Sequence, residues 1–143
     1  MRTKDTRTLR AFFDTNILFY SDDKRDPAKQ LKAHSLIREY RSDRTGVVSL
    51  QVLQEYFVNT TRKLGLNPEV ARRRLEIFSR FDLVEPRLND VLSAIDLHRL
   101  QHISYWDALI IHCAKISGCQ IVFSEDLQHG QVIDGVRIVN PFL

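Results

Sequence analysis

Residues 10–16 read RAFFDTN, and this stretch decides the fold. Its first four residues, Arg10–Phe13, are mostly apolar and predict a short buried strand. The next three, Asp14-Thr15-Asn16, favour turns and caps and therefore end the strand. Residues 120–126 read QIVFSED and have the same form, because an apolar strand at Gln120–Phe123 stops at Ser124-Glu125-Asp126. Both predicted strands carry acidic residues at their carboxyl ends.

Short apolar strands alternate with helices along the rest of the chain. Three more strands are predicted, at Gly46–Ser49, at Leu83–Val84 and, after an Asp134-Gly135 turn, at Val136–Val139. Helices are predicted from the Asp26-Pro27 cap to about Tyr40, from the Ser49 cap to Gly65, from Asn67-Pro68 through Phe78, from an Asn89 cap through Leu100, and from the Ser104 cap to Ile116. Strands that are apolar throughout are typical of a parallel sheet covered on both faces. The predicted fold is therefore an α/β, three-layer α/β/α sandwich with a mostly parallel central sheet.

The length and composition fit one globular domain. The chain has 143 residues, of which 43% are hydrophobic and 27% charged, and these values exclude a disordered or fibrous protein. We expect a single domain over residues 1–143 with a basic N-terminal extension at residues 1–9. The 21 Lys and Arg residues exceed the 18 Asp and Glu residues only slightly, so a polyanionic partner is permitted but not required.

The sequence also predicts a cytoplasmic protein without membrane association. The longest apolar run, Ala108–Ile111, is far shorter than the roughly 20 residues that span a bilayer. The amino terminus does not resemble a cleavable signal sequence, and Cys113 and Cys119 are expected to be reduced thiols.

Acidic residues follow both of the strands that end in polar triplets. If these strands are neighbours in a parallel sheet, Asp14 and Asp126 lie at the same edge, where such sheets gather functional groups. Asp107, near the start of an adjoining helix, is expected to join them. Glu55 is the fourth candidate, because Gln51 and Asn59 stand four residues to either side and offer no cation to pair with.

A cluster of carboxylates favours a metal ion. Two like charges about 4 Å apart repel by about 1 kcal/mol in water and about 4 kcal/mol at an effective dielectric constant of about 20. Such a cluster is therefore either partly protonated or neutralised by a cation. Oxygen ligands suit Mg²⁺ or Mn²⁺, and such an ion can activate water for phosphodiester hydrolysis.

Each acid also has a purely structural interpretation. Asp14 could cap a turn, Asp107 could be the acid of a capping box that begins at Ser104, Glu55 could be a solvated helix charge, and Asp126 could order its loop. Three basic clusters, Lys24-Arg25, Arg62-Lys63 and Arg72-Arg73-Arg74, could hold a phosphate backbone or could be solvated helix faces. The five glycines form no dinucleotide-binding, P-loop or serine-esterase motif. Cys113 is interpreted as a small core residue rather than a nucleophile.

Four segments, taken in order, resemble the motifs of a known family. They are FFDTNIL at residues 12–18, LQEY at 53–56, YWDALI at 105–110 and FSEDLQHG at 123–130. In this order and at these spacings they are similar to the motifs of PIN-domain ribonucleases, and most closely to the toxins of VapBC type II toxin–antitoxin pairs. The resemblance extends from about Ala11 to Asn140.

The resemblance implies a site, an activity and partners. Asp14, Glu55, Asp107 and Asp126 would be the acidic site that binds Mg²⁺ or Mn²⁺, and Thr15, Asn16 and Ser124 would support its geometry. Glu125 is the alternative to Asp126 as the fourth acid, although the register of the strand end favours Asp126. The implied activity is endonucleolytic cleavage of RNA, and the implied partners are a second copy of the chain in a homodimer and an antitoxin that blocks the cleft.

Two other functions are considered. A non-catalytic RNA-binding or assembly module of the same fold is the main alternative, but a binder of polyanions gains nothing from a negative cleft. A magnesium phosphatase is disfavoured, because Asp14-Thr15-Asn16 lacks the second aspartate two residues later that a haloacid-dehalogenase-like enzyme requires.

Overall fold

A six-stranded, mostly parallel sheet forms the centre of the protein. The computed structural model describes residues 9–143, so the predicted basic extension lies outside the described residues except for Leu9. The strands are β1 (Ala11–Phe13), β2 (Gly46–Ser49), β3 (Asp82–Val84), β4 (Ile121–Phe123), β5 (Val132–Ile133) and β6 (Val136–Val139). Their order is β3-β2-β1-β4-β6-β5, and every neighbouring pair is parallel except β5 and β6. The predicted α/β fold with a mostly parallel sheet is confirmed.

In the described part of the chain, six helices lie between β1 and β4. They are α1 (Thr15–Tyr20), α2 (Pro27–Ser42), α3 (Leu50–Lys63), α4 (Pro68–Phe78), α5 (Leu88–Gln101) and α6 (Tyr105–Ile116). From β1 the chain steps outward to β2 and β3, and it then returns past β1 to form β4 on the other side. Because parallel crossovers are right-handed, this reversal places α1–α4 on one face of the sheet and α5 and α6 on the other. The reversal also makes the gap between β1 and β4 the topological switch point, where open α/β sheets bind their ligands.

Aromatic packing fixes β1 in the centre of the sheet. The ring of Phe13 is fully buried and meets Tyr40, Phe81 and Phe123 edge-on, with centroids 5.5, 5.3 and 5.3 Å away. Gly46 leaves room for this cluster, since a Cβ at that position would lie 2.7 Å from the Phe81 ring. The apolar strand predicted from the sequence is therefore a core strand packed on both faces.

Asp14-Thr15-Asn16 ends β1, as predicted, but the chain then begins a helix and does not form the expected turn. Asp14 caps the helix α1 instead, because its carboxylate accepts a hydrogen bond from the Thr15 backbone N–H. Asp and Asn favour helix caps as strongly as turns, so the same residues that end β1 also begin a helix. The short helix α1, over Thr15–Tyr20, was not predicted.

Two smaller differences concern α5 and the last hairpin. Helix α5 begins at Leu88 rather than after an Asn89 cap, because the carboxylate of Asp90 accepts a hydrogen bond from the Arg87 backbone N–H at 2.8 Å. The two-residue strand β5 was also not predicted, and it pairs with β6 across the expected Asp134-Gly135 turn.

The two cysteines are core residues. Cys113 and Cys119 are free and buried, and burial raises the pKa of each thiol to about 12. This confirms the expected core role of Cys113. None of the helices within residues 9–143 has the length and apolar character needed to cross a membrane.

Candidate active site

The candidate site begins where β1 and β4 end side by side. The register pairs Phe13 with Phe123, and the Asp14 backbone N–H continues this pairing by donating to the Phe123 carbonyl oxygen at 3.0 Å. One residue further on, the Ser124 hydroxyl donates to Asp14 Oδ2 at 2.7 Å. Parallel pairing therefore joins two polar segments that are 110 residues apart in the chain.

A cleft of about 280 Å³ opens at this edge of the sheet. All four predicted acids, Asp14, Glu55, Asp107 and Asp126, line it. Its walls come from α1, from α3 and from the first turns of α6, and its rim comes from the loop after β4. The convergence expected from the sequence is thus present in the structure.

Asp14 is the buried acid of the cleft. It is only 5% exposed and accepts hydrogen bonds from Ser124 and from the backbone of Thr15, both at 2.7 Å. The net pKa of Asp14 is about 7, because burial and, to a smaller extent, the negative charges of Asp126 and Glu55 raise it more than those hydrogen bonds lower it. The carboxylate is therefore firmly positioned, but none of the ion pairs within residues 9–143 gives it a cationic partner.

Thr15 and Asn16 hold the other acids in position. The Thr15 hydroxyl donates to Glu55 Oε1 at 2.7 Å and so connects α1 with α3. Asn16 Nδ2 lies 3.1 Å from Asp126 Oδ2 and 3.4 Å from Asp14 Oδ2, while its Oδ1 accepts from the Glu125 backbone N–H at 3.2 Å. The three residues expected to have supporting roles, Thr15, Asn16 and Ser124, all contact a predicted acid.

Glu125 and Asp126 have different surroundings. Glu125 pairs with the Lys29 ammonium group and accepts a hydrogen bond from the Tyr20 hydroxyl at 2.5 Å. The Asp126 carboxylate instead contacts Asn16, next to Asp14. Glu125 therefore has its own cation, Lys29, whereas Asp126 adds its negative charge to that of Asp14.

Asp107 lies in the first turn of α6. Its backbone N–H donates to the Ser104 hydroxyl at 3.1 Å, which is one half of the predicted capping box. The other half would be a bond from the Ser104 backbone to the Asp107 carboxylate, and it is not among the hydrogen bonds within residues 9–143. The carboxylate of Asp107 lines the cleft instead.

The donor set can be compared with the needs of Mg²⁺ or Mn²⁺. Within the described part of the chain, no group of three or more Asp, Glu, His or Cys side chains is arranged so that it could hold a metal ion. Two carboxylates do converge, because Asp14 and Asp126 both contact Asn16 Nδ2. Magnesium usually binds one or two protein carboxylates and keeps several waters, so carboxylate oxygens such as these are chemically suited to it, with Glu55 and Asp107 in the same cleft.

Sequence reasoning named Lys63 as part of a basic cluster but missed several other lining residues. Gln51, Asn59 and Lys63 line the cleft together with Glu55, and their spacing of four residues places all four on one face of α3. The spacing of Gln51 and Asn59 around Glu55 is the sequence signal that could have identified them. Trp106, beside Asp107, also lines the cleft.

The basic clusters have different roles. Lys63 lines the cleft, whereas Arg25 forms an ion pair with Asp23. Arg74 contacts Asp22 at 2.8 Å, and the Asp22 side chain is only 3% exposed and also accepts a hydrogen bond from Tyr56. Arg74 therefore joins α4 to the body of the protein.

The chain belongs to the PIN-domain family, because the PIN-domain family model matches residues 11–133. The solved structure of the sarcin–ricin-loop-cleaving toxin VapC20 of Mycobacterium tuberculosis is similar in fold, with a TM-score of 0.65 and 19% identity over 81% of this chain and 91% of that one. A toxin–antitoxin complex from Klebsiella pneumoniae gives a TM-score of 0.67 and 19% identity over 92% and 97% of the two chains. DNA-bound VapBC from Salmonella typhimurium gives a TM-score of 0.65 and 18% identity over 92% and 97%. No curated protein matches the sequence.

The ionisation of Asp14 predicts how stability depends on pH. In the folded protein without metal, its pKa is about 7, against 3.8 as the ordinary value, so the folded state binds the extra proton between these two pH values. The free energy of unfolding should therefore fall as the pH rises through this range. Asp14→Asn keeps a good helix cap and should remove this contribution, making the protein more stable at about pH 8 by about 2–4 kcal/mol.

Urea unfolding in EDTA at several pH values measures this difference. Asp96→Asn, which changes an exposed carboxylate on α5, is the matched control and should follow the wild-type profile. If the free energy of unfolding changed with pH in the same way for wild type and Asp14→Asn, the pKa of Asp14 would not be raised and the prediction would be wrong.

Proposed function

We propose that this protein is a Mg²⁺- or Mn²⁺-dependent endoribonuclease and the toxin of a type II toxin–antitoxin pair. The observation that most strongly supports this function is the cleft at the switch point of a PIN-domain chain. Four carboxylates line it, those of Asp14, Glu55, Asp107 and Asp126. A protein that only binds RNA would be weakened by four negative charges in its cleft, whereas a metal-dependent nuclease needs them.

Each acid has a role in the proposed reaction. Asp14 and Asp126, which converge on Asn16, would hold the divalent cation, and Glu55 and Asp107 would complete the negative surface around it. When bound, this cation lowers the pKa of a water molecule and stabilises negative charge on the phosphate. Thr15 occupies Glu55 Oε1, so Glu55 Oε2 remains to accept a proton from the attacking water.

The toxin role is proposed from similarity in fold. Similar solved structures include the sarcin–ricin-loop-cleaving toxin and several toxin–antitoxin complexes, and two VapBC complexes are bound to DNA. By analogy, the substrate is cytoplasmic RNA, and an antitoxin blocks the acidic cleft with a basic side chain. A homodimer is also proposed, and the exposed apolar side chains of α5, such as Leu88 and Leu100, favour self-association.

Asp14→Asn and Asp107→Asn should each reduce RNA cleavage by about 100-fold or more, because each removes a negative charge from the cleft. The measurement is cleavage of a labelled RNA by purified protein in Mg²⁺. EDTA should stop wild-type cleavage, and added Mg²⁺ should restore it. Asp96→Asn is again the control, since its carboxylate is exposed on α5. The assignment would be refuted if both site variants cleaved RNA at the wild-type rate while circular dichroism showed intact folds. If the wild-type protein bound RNA without cleaving it, the non-catalytic alternative would be favoured.

The two acids after β4 can be separated by paired substitutions. Asp126→Asn should reduce cleavage by about 100-fold, because Asp126 shares a contact with Asp14. Glu125→Gln should have an effect of less than about 10-fold, because Glu125 is already paired with Lys29. The reverse ranking, measured on the same labelled RNA, would identify Glu125 as the fourth acid.

Expression in a bacterial host tests the toxin role separately from the chemistry. Induction of the wild-type chain should arrest growth, because an unrestrained ribonuclease destroys RNA that the cell needs. Asp14→Asn, at the same expression level by immunoblot, should permit growth. If the host grows normally while the purified wild-type protein cleaves RNA, the nuclease assignment survives and the toxin role does not.

A further inference from the structure

Gln51 is an unusual residue in the wall of the cleft. Both polar atoms of its side chain, Nε2 and Oε1, are buried, and neither has a hydrogen-bond partner within residues 9–143. Buried side-chain amides in native proteins are nearly always paired, because leaving one unpaired is energetically unfavourable. Gln51 lines the same cleft as Glu55, one turn away on α3. An unpaired donor and an unpaired acceptor thus lie buried in the wall of the acidic cleft.

Trp106 is an unusual residue of a different kind. It is the only tryptophan in the chain, it lines the cleft, and it is 59% exposed. Tyr105 packs against it edge-on, with centroids 5.0 Å apart and an angle of 72° between the rings. Tyr105 is itself packed against the core, so it fixes the indole while leaving much of it accessible. A large aromatic surface therefore lies next to Asp107, at the mouth of the cleft.

We propose that Trp106 and Gln51 form a nucleobase subsite next to the carboxylates. An unpaired base of single-stranded RNA stacks on the Trp106 indole, and the Gln51 amide forms hydrogen bonds with the edge of that base. This inference rests on the proposed ribonuclease function and specifies its substrate as RNA with at least one unstacked base beside the cleaved phosphate.

Trp106 and Gln51 contribute differently to the recognition of a base, one through affinity and the other through selectivity. Stacking accepts any base, because every base has a π-face, so Trp106 contributes affinity without much sequence preference. The edges of the bases differ in the order of donors and acceptors, so the Gln51 amide distinguishes among them. Phosphate is a poor ligand for Gln51, because Glu55 lies one turn away and would repel it. Lys63, three turns along the same face of α3, is the residue suited to the RNA backbone.

Fluorescence of the single tryptophan measures stacking directly. Oligo(A), oligo(U) and oligo(C) RNAs of equal length should each quench Trp106 emission when titrated into the protein, in EDTA or in Mg²⁺ on ice, and with different affinities. Gln51→Met should bring the three affinities to within about twofold of one another. Gln54→Met is the matched control, because Gln54 is exposed on the same helix, and it should preserve the wild-type preference.

Cleavage assays separate the contribution of stacking. Trp106→Ala should raise the KM for a single-stranded RNA by about 5- to 150-fold, and Trp106→Phe should recover most of the loss. Gln51→Met should keep the wild-type melting temperature or exceed it, because it removes an unpaired buried amide, yet it should change the relative cleavage of substrates that differ at one base. A lower melting temperature with an unchanged base preference would assign Gln51 a structural role and overturn the subsite.

The outcomes distinguish this subsite from the nuclease itself. Quenching by RNA without cleavage would support the subsite and refute the proposed function. Cleavage with a wild-type KM in Trp106→Ala would support the proposed function and refute the subsite. Absence of quenching by all three RNAs in both buffers would also refute it and would leave the exposed indole as a contact for a protein partner.

Discussion

The pairing of β1 with β4 is the constraint on which the site depends. Asp14 is far from Ser124 and Asp126 in the sequence. The parallel register that pairs Phe13 with Phe123 brings these residues together. A slip of one residue would turn Ser124 to the opposite face of the sheet and leave Asp14 without its hydroxyl donor. Because the rings of Phe13 and Phe123 pack against each other and against Tyr40, the register is held by the core itself.

Asp14 shows how stability and chemistry oppose each other in this fold. Its carboxylate is buried next to two other negative groups, and this raises its pKa and makes its charged form unfavourable. Hydrogen bonds from Thr15 and Ser124 offset only part of that effect. Local conflicts of this type are characteristic of functional sites, where the arrangement serves a ligand rather than the resting protein. Asp22, another carboxylate with little exposure, instead has a cation beside it, because Arg74 Nε lies 2.8 Å away.

The sequence was sufficient to predict five of the six strands and the position of the four acids in one cleft. Strands β1, β2 and β4 are apolar throughout and stop at polar residues, so their burial and direction could be inferred from pattern alone. Helix α1 could not be inferred, because Asp14-Thr15-Asn16 suits a turn and a helix start equally well. The roles of Glu125 and Asp126 depend on Lys29, which is 96 residues from Glu125 in the chain and reaches it only through the fold. Gln51 and Trp106 were not identified as cleft residues because the lining of a cleft depends on how each helix is rotated about its axis.

The order of the elements along the chain has a consequence for synthesis. The cleft needs the first strand, the third and sixth helices and the loop after the fourth strand, so its acids extend from residue 14 to residue 126. During translation, a nascent chain that ends before residue 126 contains at most three of the four acids. Until β4 has been synthesised, β1 cannot pair with it. The cleft therefore cannot assemble until translation has passed residue 126.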